Sequence, residues 1–72
     1  MLRKEDYKNY QILVITRLEV GAADQWHGLY EVTSPDSGAK VTNAVAGAFH
    51  SSKYAEANAL GEAIAWIDRQ IG

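Results

Sequence analysis

Seventy-two residues allow one domain, and seven lysines and arginines against nine aspartates and glutamates leave a net charge of −2, a poor balance for binding a phosphate backbone. A domain this small buries only about 60% of the surface its unfolded chain exposes. It has no cysteine, which removes disulfides and thiolate metal sites and leaves oligomerisation as the usual way to add stability.

Met1 to Asp6 is mostly charged and reads as a flexible N-terminal segment ahead of a single domain over residues 7–72. Alternation then begins. Tyr10, Ile12, Val14, Thr16, Leu18 and Val20 share one face of a strand, and Leu13, Ile15, Arg17 and Glu19 take the other. The density of β-branched residues suits a pleated, half-buried setting. Gly21 to Gln25 breaks the pattern and is expected to turn the chain. A second strand places Trp26, Gly28, Tyr30 and Val32 on one face, with His27, Leu29, Glu31 and Thr33 on the other.

Ser34-Pro35-Asp36-Ser37-Gly38 is a turn with a mechanism. Proline presets φ, Asp36 can bond its own backbone, and Gly38 can take a positive φ. The third run, Lys40 to Ala48, alternates small residues and reads as a strand that something approaches closely. Ser51 or Ser52 then offers an N-cap. Ala57, Leu60, Ile64, Ile67 and Ile71 repeat at spacings of 3 and 4, which predicts a helix with one apolar stripe. Trp66 falls off that stripe, beside Ala55, Ala59 and Ala63, and marks a second packing face. Gly61, inside the helix, is expected where a strand comes close.

The expected fold is α+β: a three-stranded antiparallel meander followed by one C-terminal helix on one sheet face. The core is expected between the helix stripe and Ile12, Val14, Leu18, Trp26, Tyr30 and Val32. One helix covers one face. The apolar surplus on the far sides names Leu13, Ile15, Leu29, Trp66, Ala59 and Ala63 as interface candidates, and a homodimer as the expected assembly.

Little here carries chemistry. Ser34, Ser37, Ser51 and Ser52 fall at turns or a helix cap, where serine has a structural task. His50 stands beside Ser51 just before the helix and reads as a loop histidine next to a capping serine. His27 and Glu31 share a strand face but lie roughly 13 Å apart along it. The alternative reading as a small enzyme rests on His27 or His50 alone. The glycines form no phosphate-binding loop. No catalytic residue, metal site or cofactor is therefore expected.

A nucleic-acid alternative rests on Arg3, Lys4 and Lys8 and on a strand-strand-strand-helix order shared with double-stranded-RNA-binding domains. The interleaved Glu5 and Asp6, and a basic cluster reduced to Lys53, argue against it. The longest apolar run, Ile12 to Ile15, is too short to span a membrane, and no leader-like core follows the N-terminal charges. The expected compartment is the cytoplasm.

With three strands running into Phe49-His50-Ser51-Ser52 and then an alanine-rich helix carrying Glu56-Ala57, the chain resembles the partial ribonuclease-H-like domain of HicB-type antitoxins. The likeness covers Tyr10 to Ile71. The Tyr7-x-x-Tyr10-x-Ile12 opening and the Ala65-Trp66-Ile67-Asp68 ending also resemble small bacterial proteins of this shape. The HicB likeness implies a dimeric module that binds a protein partner and has no catalytic residues of its own. Antitoxins of that kind carry a DNA-binding segment after this domain. This sequence stops at Gly72, so the autoregulatory DNA role of such antitoxins is not carried over with the likeness.

Overall fold

Four strands, not three, precede the helix. In a computed structural model that describes residues 2–21 and 25–71, β1 (Leu2–Tyr7), β2 (Tyr10–Glu19), β3 (Gln25–Thr33) and β4 (Lys40–Ala44) form one antiparallel sheet in sequence order, followed by α1 (Ser52–Ile71). The class is α+β with one C-terminal helix, as the sequence indicates. Residues 22–24 of the turn expected over 21–25 lie outside the described residues.

The N-terminal segment is a correction: residues 2–7 form an edge strand. Tyr7 pairs with Tyr10, and Lys8 and Asn9 between them have φ of 49° and 70°. Two central residues at positive φ make the type I′ turn whose twist matches a hairpin. The charges that suggested a frayed start belong to an edge strand, where they discourage pairing with foreign strands. Arg3 and Glu5 lie opposite Val14 and Ile12, on the helix side of the sheet. Arg3 Nε donates to Glu5 at 2.8 Å, and its guanidinium also pairs with Glu56 of the helix.

Ser34 accepts the Gly38 N–H at 3.1 Å, and Gly38 takes φ +70°, as the turn chemistry demands. β4 is shorter than the expected run to Ala48. It ends at Ala44, and the chain swings out through Gly47 (φ +94°). Phe49 then rejoins β3 through reciprocal backbone bonds with Trp26 at 2.8 and 2.9 Å. Ser51 is the cap: its Oγ accepts the Tyr54 N–H at 3.3 Å.

The helix lies over the central strands, and its packing face is the second correction. Ala55, Ala59, Ala63 and Ile67 are fully buried, whereas Ala57 and Ile71 of the expected stripe are exposed and Leu60 and Ile64 are half-buried. The alanines let the helix come close to Gly28, where an added Cβ would sit 2.9 Å from the Ala55 carbonyl oxygen and 3.3 Å from Ala59 Cβ. Ile12, Val14, Tyr30, Val32 and Val45 fill the sheet side of the core. Leu18, expected there, is 41% exposed because its end of the hairpin runs past the helix, and Trp26 is half-buried.

Close packing thus falls at Gly28 and not at Gly61, which has open space around it. Gly61→Ala is accordingly expected to stabilise the fold by about 0.5–1 kcal/mol through helix propensity and a less flexible unfolded chain. A lower melting temperature for that variant would place a neighbour against Gly61.

The far end of α1 is tied to the β1–β2 turn. Asp68 accepts from Lys8 Nζ at 2.9 Å and from Tyr7 Oη at 2.9 Å. The Lys8 hydrogen bond, then that from Tyr7, holds the Asp68 carboxyl below its ordinary range, and the bond to Asp68 raises the Lys8 ammonium above its own. Asp68 contributes stability above the ordinary aspartate range, and this is lost as pH falls through its lowered folded value. Lys8 contributes below the ordinary lysine range and loses it as pH rises through its raised value. Both groups are solvent-exposed, so the effect is small. Asp68→Asn is expected to flatten the acid limb of stability against pH, read by urea unfolding across pH 2–5. An unchanged limb would mean that the contact carries no stability.

Candidate functional site

The open sheet face is the surface that the helix leaves uncovered. Directly opposed residues of antiparallel strands share a face, so the register aligns Leu2, Ile15, Leu29 and Ala44 in one row across all four strands. Leu13, Ile15 and Leu29 are half-buried by their neighbours, while Leu2 is 64% exposed. On one side of this row runs Lys4, Leu13, Glu31 and Thr42; on the other, Arg17 faces His27. Two shallow hollows flank the row, one near Lys4, Gln11 and Glu31 and the other near Arg17, Glu19 and His27.

The interface candidates therefore divide. Leu13, Ile15 and Leu29 sit together on the open face. Ala59 and Ala63 have zero exposure beneath the helix, and Trp66 packs half-buried against the core. The assignment of these three to an outer helix face is corrected: the alanine side is the side that packs on the sheet. Two of them have no surface to offer a second chain.

His27 finds a partner that within-strand spacing does not reveal. Its Nε2 lies 2.6 Å from Glu19 Oε2, diagonally across the β2–β3 hairpin. Glu31 approaches Lys40 at 3.7 Å. Both contacts depend on register, which alternation alone does not specify. His50 is exposed, and the neighbouring Ser51 hydroxyl is engaged as the helix cap. Ser37 Oγ accepts the Ala39 N–H at 3.2 Å, again a turn contact. Among the described residues no group of three His, Asp or Glu side chains is placed to hold a metal ion, and no helix is long and apolar enough to cross a membrane.

The N-terminal basic residues do not converge on a phosphate-binding surface. Arg3 is held by Glu5 and Glu56, and Lys8 by Asp68, all on the helix side or at the turn. Lys4 alone of the three projects from the open face, beside Leu13. The open face is thus an apolar row edged by charges of both signs. Compared with protein-family models, with curated proteins and with solved structures, the chain matches none.

Proposed function

We propose that the protein is a non-enzymatic interaction module that forms a homodimer through the open face of its sheet. The observation that carries this reading is the row Leu2–Ile15–Leu29–Ala44, with Leu13 beside it. An antiparallel sheet tolerates water on one face when that face is polar. Here the centre of the face is aliphatic and its margins are charged, the arrangement of an interface core inside a polar rim. A small domain with no cysteine also gains from covering that surface. The likeness to HicB-type domains implies the same general property, a dimer that engages a protein partner.

Sedimentation velocity over a wide concentration range tests the reading. The unaltered chain is expected to be dimeric. Leu29→Asp, which puts two charges at the centre of the interface, is expected to weaken the dimer by about thirtyfold or more. Far-UV circular dichroism should stay native, because Leu29 points away from the helix-covered core. A monomer at millimolar concentration would overturn the dimer. Loss of fold in Leu29→Asp would place Leu29 in a structural role.

A further inference from the structure

The pattern of charges on the open face specifies how a second copy would lie on it. We infer that the two copies pack face to face about a two-fold axis running along the Leu2–Ile15–Leu29–Ala44 row, so that Glu31 of each copy meets Arg17 and His27 of the other. This rests on the open-face dimer proposed above and goes further by naming its geometry.

A two-fold axis that brings one face of a sheet onto itself lies in the interface plane. It can run across the strands or along them. A residue on the axis meets its own counterpart, and an axis perpendicular to the strands sets the strands of the two sheets in line, as in aligned sheet packing. With the axis along the apolar row, aliphatic side chains therefore meet aliphatic side chains across all four strands. The rotation exchanges the two flanking rows. Glu31, two residues beyond Leu29 on β3, comes to lie over His27, two residues before Leu29 on the same strand of the other copy. Leu13 comes over the aliphatic stem of Arg17. Because Arg17 is directly opposite His27 in the sheet, the Glu31 carboxylate reaches both. Arg17 has no ion-pair partner among the described residues, so this contact supplies one. Symmetry makes it twice.

The other axis, along the strands between β2 and β3, does less well. It sets Leu13 against the Glu31 carboxylate and Arg17 against His27, each twice over. Desolvating a carboxylate against an aliphatic side chain is costly. That axis gains a pairing of Asp6 with Lys40, but those residues occupy corners of the sheet, where twist carries two packed sheets apart and water screens the charges.

The chain has no cysteine, so single introduced thiols report the geometry directly. β1 and β4 are three strand spacings apart, about 14 Å, and packed sheets lie about 10 Å apart. A thiol-reactive linker that spans only the gap between sheets is expected to join the Leu2→Cys variant to itself and the Ala44→Cys variant to itself, with no gain on mixing the two. Cross-linking only in the mixture would overturn the inferred axis while leaving the dimer in place. A monomer by sedimentation would overturn the open-face dimer itself.

Charge exchange gives an independent readout. Arg17→Glu and Glu31→Arg are each expected to weaken the dimer tenfold or more, and the double variant to recover most of the loss. Neither residue is in the core, so the fold reports unchanged by circular dichroism. Two additive losses with no recovery would mean that Arg17 and Glu31 do not meet.

Discussion

Gly28→Ala is expected to lower the unfolding free energy by about 1–3 kcal/mol, the usual cost of overpacking a filled core. The added methyl would fall 2.9 Å from the Ala55 carbonyl oxygen, closer than carbon and oxygen approach without bonding. The obstacle is backbone, so no side-chain rotation relieves it; the helix must move off the sheet. That movement would loosen Ala59 and Ala63, whose burial depends on the same close approach. For a domain of this size each kcal/mol corresponds to about 4–8 °C in Tm, so thermal unfolding resolves the effect easily. Unaltered stability would mean that the helix is not seated on Gly28. Placed beside Gly61→Ala, the same substitution at two glycines is expected to shift Tm in opposite directions.

Ile67→Ala is expected to cost about 2–5 kcal/mol, the range for emptying a buried aliphatic site. Ile67 is wholly buried and, with Ile12, Val14 and Val32, among the largest side chains that are so. Stability of about 0.05–0.15 kcal/mol per residue gives a chain of 72 residues only about 4–11 kcal/mol in total. The variant would then be partly unfolded at room temperature if the domain sits at the lower end. Ile71→Ala is the control. That residue is 49% exposed at the end of the helix, and its truncation should stay within about 0.5 kcal/mol. Urea unfolding of the two variants decides between the two helix faces. Equal losses would restore the stripe through Ile71, and a large loss at Ile67 alone would support the alanine face.

The helix face was hard to read from sequence because apolar size is a poor guide when small residues are what the contact needs. Ranked by size, Leu60, Ile64, Ile67 and Ile71 make the obvious stripe. The large volume needed for the core comes instead from the sheet, from Ile12, Val14, Tyr30 and Val32. Against those side chains and Gly28, alanines allow close approach, while Leu60, Ile64 and Trp66 flank the contact half-buried. Trp66 beside three alanines was a visible signal, and it marked the main packing face. Trp66 packs half-buried against that core.

β1 was missed for a related reason. An edge strand carries charges on both faces, and Arg3-Lys4-Glu5-Asp6 has the composition of a solvated tail. Its pairing follows from the two-residue turn at Lys8-Asn9, and Tyr7 and Tyr10 framing that turn were the available clue. On the open face, alternation placed Leu13, Ile15 and Leu29 together. It did not show that Leu2 and Ala44 extend the row, or that His27 meets Glu19, because both require cross-strand register.

By itself the sequence determined what is local: the alternation that puts Ile12, Val14, Tyr30 and Val32 inward and Leu29 outward, the Pro35–Gly38 turn, the cap at Ser51 or its neighbour, and the terminal helix. These depend on dihedral preferences and on periods of two and 3.6 residues, which act within a few positions of the chain. Tertiary structure alone decided the fourth strand, the strand register, the helix face against the sheet and the alignment of the open-face row. Each of these couples residues far apart in sequence, such as Gly28 with Ala55 or Lys8 with Asp68. Their outcome depends on which surfaces fit together in space, a quantity that no short window of residues contains.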